Sequence, residues 1–378
     1  MNMDFEMLLP DKKNSLEFVI ATPAVAPAAT PTDEASRVAM TPEQLQEVKL
    51  EELRMKSGSK ESRISFLEKR VIALEKENAV FGSLKGIKPE VIDILPRAAS
   101  QESESAMVIA WSDWHIEESV IPSQVSDKNE YTLAIAENRF LNLLSGSLSW
   151  YRIQSRESAI KTIVLALLGD FITGSIHEDL AEGNQLAPAE AIHKAYSMIV
   201  SGIKHMLANT PADVQFVVPC HSGNHGRMTK DQRIATESGN SLEYFMYLML
   251  QDYFASEKRI KFIVQAGYHS YVRFFEGAYE VRFHHGHQMN YGGGVGGITV
   301  PVNKAIAQWN KAHAVNLDVF GHFHTRFDGG NFICNGALIG YNAYAVSIKA
   351  SYEPPSQTCF LINREYESKT AVMPIFVI

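Results

Sequence analysis

The chain has 378 residues, 46% of them hydrophobic, with 35 basic against 43 acidic side chains and a formal charge of −8. That length can bury a large core in one domain or two; the acidic balance argues against a generally basic nucleic-acid-binding surface but leaves room for a local basic cleft. Three scattered cysteines (Cys220, Cys334, Cys359) speak against a disulfide framework, and no apolar run approaches the ~20 residues of a membrane span, so the expectation is a cytoplasmic protein.

Residues 1–40 contain "ATPAVAPAATPTDEAS", in which Pro23, Pro27 and Pro31 prevent a continuous helix. A disordered tail or linker is expected there. From Thr41 the pattern turns helical: Thr41, Pro42 and Gln44 have the form of a capping box. In "RISFLEKRVIALEKENAVF", Ile64, Leu67, Val71, Leu74, Asn78 and Phe81 recur at alternating spacings of three and four. This is a heptad seam with a polar residue at one core position. The phase weakens upstream, at Ser57, Gly58 and Lys60. Residues 41–82 are therefore read as a helical coiled-coil segment that joins copies of the chain; an amphipathic helix packed on the main domain is the alternative. "GSLKGIKPE" ends the helix, and residues 83–105 link it to a domain spanning 106–378.

From Met107 onward strand-like and helix-like runs alternate. "MVIAWSD", "IKTIVLALLGD" and "DVQFVVPCHSGNHG" read as buried strands with polar ends. "YTLAIAENRFLNLLSGSLSWYRI", "PAEAIHKAYSMIVSGIKHML" and "SLEYFMYLMLQDYF" read as helices. Shorter strand-like runs follow to the C-terminus. The expectation is an α/β domain of two packed sheets with outer helices.

In open α/β sheets, ligands gather beyond the carboxyl ends of strands. Five such ends are rich in metal-ligating groups: "SDWH" (Asp113, His115), "LGD" (Asp170), "SGNH" (Asn224, His225), "FHHGH" (His284, His285, His287) and "GHFH" (His322, His324). Each alone is an ordinary turn or cap, but together they point to a metal site. Mixed nitrogen and oxygen donors suit Mn²⁺, Fe or Zn²⁺, with Mn²⁺ favoured, and not Ca²⁺.

These five blocks, in this order, resemble the calcineurin-like metallophosphoesterase superfamily over about residues 107–340. The C-terminal part also looks similar to phosphoesterases of phages and prophages, which would place the protein in a host cytoplasm. The resemblance implies a four-layer αββα sandwich of two mixed sheets carrying two divalent metal ions. It further implies that Asp113, His115 and His324 bind one ion, that Asn224, His285 and His322 bind the other, and that Asp170 bridges them. His284 and His287 would then be supporting residues. Two closely spaced cations would neutralise a phosphate ester and turn a bridging water into hydroxide near neutral pH. His225, beside a ligand, would stabilise the transition state or protonate the leaving oxygen.

The chain departs from the protein Ser/Thr phosphatases of the superfamily at "GDFITGSIHED", where Thr173 stands in place of an aspartate that would orient His225. Thr173, Ser175 or His177 are candidates for that task. Arg227, with Lys230 and Arg233, and His177, with Glu178 and Asp179, are candidate contacts to substrate. "YGGGVGGITVP" (291–301) lacks the ending of a phosphate loop and reads as a mobile flap. Cys220 reads as a small buried hydrophobe. The expected activity is phosphodiester hydrolysis, most readily of DNA or RNA. A phosphomonoesterase for nucleotides or other small molecules, and a coiled-coil adaptor with a vestigial metal site, are the alternatives.

Overall fold

A computed structural model of the chain describes residues 60–84, 103–176, 182–264, 267–290, 297–347 and 349–378. The expectations for the 1–40 tail, the Thr41 cap, His177, Glu178, Asp179 and most of the glycine-rich flap lie outside the described residues. The chain divides into two compact units, Met1–Pro96 and Arg97–Ile378. In the first, Lys60–Leu84 form a single helix, α1. Among the described residues no helix is long and apolar enough to cross a membrane.

The second unit is built on two mixed sheets. In the first sheet, β1 (Ser103–Trp111), β2 (Ser158–Leu167), β3 (Gln215–Cys220) and β4 (Ile260–Val264) run parallel; β10 (Ser356–Asn363) joins antiparallel beside β1, and β11 (Ser368–Phe376) antiparallel beside β10. In the second sheet the order is β5 (Ser270–Phe274), β6 (Tyr279–Phe283), β7 (Leu317–Phe320), β9 (Phe332–Cys334), β8 (Phe327–Asp328), with β6, β7 and β9 parallel.

The apolar runs of β1 and β2 are continuous because both of their faces are covered. Met107, Ile109 and Trp111 point one way, into a core shared with α2 (Leu133–Gln154), α3 (Pro188–Ala208) and α4 (Leu242–Tyr253). Ala106, Val108 and Ala110 point the other way and pack with Val281, Phe283, Leu317 and Val319 of the second sheet. The outer face of the second sheet buries Phe320, Phe332 and Cys334 against Val302 and Ile306 of α5 (Thr299–Trp309). Helices thus cover the outer faces of two stacked sheets. Each large side chain buried in these layers contributes on the order of 1.5–3 kcal/mol.

Helix α5 was not expected from the sequence. The glycines before it and Pro301 read as a loop, yet Pro301 sits in the first helical turn, where the missing N–H costs nothing. The stretch "SYVRFFEGAYEVRF" is the β5–β6 hairpin, with Phe275, Glu276 and Gly277 all at positive φ in its turn.

Candidate metal centre

The parallel strands β1, β2 and β3 end side by side, and so do β6 and β7 of the second sheet. The loops that follow are tied together by main-chain bonds. Asp113 N–H donates to Gly169 O (3.0 Å), Trp114 N–H to Asp170 O (2.8 Å) and Gly321 N–H to His285 O (2.9 Å). The two sheets are joined at this rim by His322 N–H, which donates to the Asp113 carboxylate (3.0 Å). Trp114 anchors the first loop: its ring is fully buried against Phe171 (4.7 Å), Phe140 (5.0 Å) and Trp111 (5.5 Å).

Three overlapping groups of side chains can each hold a metal ion. They are Asp113, His115 and His324; Asp170, His285 and His322; and His115, Asp170 and His225, with ligand atoms within 4.8 Å of one another in each group. His115 Nε2 lies 3.2 Å from His324 Nε2, which is 3.5 Å from Asp113 Oδ1. His285 Nε2 lies 2.9 Å from Asp170 Oδ2 and 3.2 Å from Asn224 Oδ1. All seven residues that the resemblance implies as ligands therefore meet at this rim.

Bringing them together requires unusual backbone. Asp113 (φ 54°), His115 (46°), Asp170 (53°), His322 (71°) and His324 (51°) are all left-handed. For a non-glycine residue this costs on the order of 1 kcal/mol or more, and such strain concentrates at functional sites. It also resolves how histidines one residue apart in the sequence can share a site. Both histidines are themselves left-handed, and Phe323 N–H closes a three-residue turn onto Gly321 O (2.9 Å). Glycine is needed at 321 and 223 for space: a Cβ at Gly321 would lie 2.4 Å from Asp113 Oδ2, and one at Gly223 would lie 2.0 Å from Asp170 Oδ1.

The imidazoles are held in the tautomers that ligation requires. His285 Nδ1–H donates to Leu168 O (2.6 Å) and His225 Nδ1–H to Thr173 O (3.1 Å), because a carbonyl can only accept. His115 Nδ1–H donates to Thr173 Oγ1 (3.1 Å), whose hydroxyl is directed to Glu118 Oε2 (3.4 Å). Each ring is thus left with Nε2 to face the centre. This is the outer-shell arrangement that fixes metal-binding histidines. It also answers the question raised by Thr173: the main-chain carbonyl of Thr173 orients His225, and its side chain serves His115 instead.

Charge follows from the same packing. Burial pushes His115 and His322 well below the ordinary imidazole range and His324 down to about 4, so all three are neutral donors at pH 7. Burial, with the nearby Asp170 charge, raises the Asp113 carboxyl to about 7. Burial opposes ionisation of Asp170 too, but the facing His285 and His225 rings outweigh it and hold this carboxyl well below its usual range. Burial would lower His285, yet Asp170 beside it drives the ring up to about 10. Its Nε2 faces two oxygen acceptors, so only a proton or a cation there satisfies all three atoms. A buried set of two carboxylates, an amide oxygen and inward-facing imidazoles fits divalent cations that accept nitrogen and oxygen donors.

Three supporting carboxylates were missed in the sequence. Fully buried Glu243, from the first turn of α4, accepts from Phe171 N–H (2.6 Å), Gly223 N–H (2.7 Å) and Asp170 N–H (3.3 Å). It thereby binds the Gly-Asp loop to the Gly-Asn-His loop. Glu117 accepts from the Thr173 and Gly174 N–H groups (both 2.7 Å), which sets the carbonyl that holds His225. Glu118 ends the chain through Thr173 to His115. An acid in a helix's first turn ordinarily complements the helix dipole at the surface, so nothing in the sequence singles out Glu243.

The remaining candidates take varied positions. His284 is buried outside the three groups, stacked on Phe320 and 3.4 Å from Asp318, whose carboxylate Arg282 engages through both oxygens (2.6 and 3.0 Å). His287 lies beside His285 and 3.1 Å from Glu237. Arg227 Nη1–H donates to Asn224 O (2.6 Å), bracing the peptide of that residue. Lys230 and Arg233 are exposed. Cys220 is buried.

No protein-family model and no curated protein matches this sequence. Among solved structures, a hypothetical protein from Pyrococcus horikoshii aligns at 11% identity over 71% of this chain and 87% of its own, with a TM-score of 0.34. A phosphatase from Mycoplasma pneumoniae aligns at 10% identity over 72% and 92%, TM-score 0.27. The sulfate thiohydrolase SoxB of Thermus thermophilus aligns at 9% identity over 75% and 58%, TM-score 0.25. At these scores the likenesses carry no argument, and function rests on the geometry of the site.

Proposed function

We propose that the protein is a dinuclear-metal-dependent phosphoesterase that cleaves phosphodiesters, with DNA or RNA as the substrate class. The observation that carries this reading is the convergence of five strand-end loops on one rim, with imidazole tautomers fixed so that Nε2 atoms point inward. Asp113, His115 and His324 would hold one cation, and Asn224, His285 and His322 the other. Asp170, with one oxygen near His285 and the other accepting from His225 N–H (2.9 Å), would lie between them. Mn²⁺ suits the donor set, as do Fe and Zn²⁺. Bound there, two cations supply charge neutralisation for the ester and acidify water.

The chain's own residues supply orientation and proton transfer. Asn224 adds an oxygen donor without adding charge, which keeps the site electrophilic. His225, held at Nδ1–H by the Thr173 carbonyl, presents Nε2 to the leaving oxygen; in its imidazolium form it would deliver the Nε2 proton there and be left as the neutral Nδ1–H ring. Arg227 is half-buried and donates through Nη1 to Asn224 O, so it braces the peptide of that residue.

The test is turnover of bis-p-nitrophenyl phosphate against p-nitrophenyl phosphate with Mn²⁺, followed by single- and double-stranded DNA and RNA. Preference for the diester is expected. Preference for the monoester would move the assignment to a phosphatase, and no turnover of either would leave a metal-binding assembly protein.

Cation affinity should rise with pH in a way that counts protons. Asp113, at about 7 in the folded protein against 3.8 normally, holds a proton that a cation must displace at any pH below about 7. His285, at about 10, does the same up to about that pH. The neutral His115, His322 and His324 release nothing near pH 7. Calorimetry of Mn²⁺ binding in buffers of differing ionisation enthalpy should therefore find net proton release, larger below pH 7 than above it. Affinity independent of pH would refute these ligand roles.

A further inference from the structure

We infer that the chain forms a parallel, two-stranded coiled coil with a second copy of itself through α1, and that the pattern along the helix fixes orientation and number. The inference concerns the first unit and stands whether or not the phosphoesterase reading holds.

Ile64, Leu67, Val71 and Leu74 fall at successive a and d positions of one heptad phase, and they are 57%, 54%, 51% and 45% exposed. An isolated helix gains nothing by lining up half-exposed aliphatic side chains along one seam; a second helix would bury them. The residues at a are β-branched, Ile64 and Val71, and those at d are leucines. This combination favours two strands over three or four, because β-branched side chains at a and leucine at d each suit the knob geometry of a parallel dimer. Asn78 continues the phase at a, where a buried amide is satisfied by its counterpart in a parallel dimer of matched register.

The flanking charges discriminate orientation. The e positions are Glu61, Glu68 and Glu75; Arg63 and Arg70 occupy g. In a parallel pair, g of one heptad faces e of the next heptad on the other chain. Arg63 then faces Glu68 of the second copy and Arg70 faces its Glu75, and each pair occurs twice by symmetry. In an antiparallel pair e faces e, which would set glutamate against glutamate along that side. The charges and the Asn78 position agree on the parallel arrangement. Ile72 and Phe66 lie off the seam and are not accounted for by it.

The experiment uses the full chain. Sedimentation equilibrium at tens of micromolar should give a mass twice the 42.1 kDa of one chain. Leu67→Lys with Leu74→Lys should give the monomer mass while the melting transition of the α/β unit stays in place. The native cysteines are all buried, so Lys60→Cys, at a d position, reports orientation: oxidation should link most chains covalently if the helices run parallel, and few if they run antiparallel. A monomeric or trimeric wild type, or a dimer that survives the double lysine variant, would overturn the proposal. A dimer whose Lys60→Cys variant does not cross-link would overturn the parallel orientation.

Discussion

Asp170→Asn should abolish turnover while leaving the protein folded. Asn removes one negative charge at the point where both proposed cation positions meet, and several kcal/mol of transition-state stabilisation depend on that charge being present. A loss of ~4 kcal/mol corresponds to about 10³-fold in kcat/KM, and at least that is expected with bis-p-nitrophenyl phosphate and Mn²⁺. The fold should survive because Asn is among the residues best tolerated at positive φ, the conformation residue 170 adopts (φ 53°). Circular dichroism should therefore be unchanged, whereas the metal content of the purified variant should fall. Turnover within tenfold of wild type would place the chemistry elsewhere.

The second large effect lies outside the proposed ligand set, at Glu243. Its carboxylate receives three main-chain N–H groups from two different loops, and Glu243→Ala would leave all three buried and unsatisfied. Each such group costs about 1–3 kcal/mol, so a loss of about 3 kcal/mol or more is expected, seen as a drop in the denaturant midpoint. Freed of this brace, Asp170 and Asn224 should bind metal more weakly, by about 10- to 100-fold as for other outer-shell partners. Glu243→Gln is the sharper probe. It keeps one acceptor oxygen but sets an amide N–H₂ against main-chain donors, so it should hardly improve on alanine despite its matching size. A Gln variant with wild-type metal affinity would show that Glu243 does not position these loops.

How much of this was legible in the sequence follows a physical division. The strands and helices of the α/β unit were readable because burial on two faces writes continuous apolar runs, as in β1 and β2, and burial on one face writes helical periodicity, as in α3. The convergence of Asp113, His115, Asp170, Asn224, His285, His322 and His324 was readable because carboxylates, imidazoles and an amide directly after such strands are conspicuous. The supporting shell was not. Glu243 is remote in sequence from the loops it braces and matches an ordinary helix start. The carbonyl of Thr173 has no signature at all, since every residue carries one; an aspartate's absence was visible, but not the backbone that replaces it. Helix α5 was hidden because glycines and Pro301 mark a loop and a helix's first turn equally well.

The left-handed backbone at five of the seven proposed ligand positions has a consequence for how this protein tolerates sequence change. At Asp113, His115, Asp170, His322 and His324 two separate filters act on every replacement, one for donor chemistry and one for handedness. At His285 and Asn224, which are not among the positive-φ residues, only the first applies. In a saturation library scored for folded protein alone, with activity ignored, the five positions should still reject valine, isoleucine and threonine while accepting glycine and asparagine. His285 and Asn224 should show no such bias. The backbone therefore leaves a record of the site in stability data even where nothing is known of the reaction.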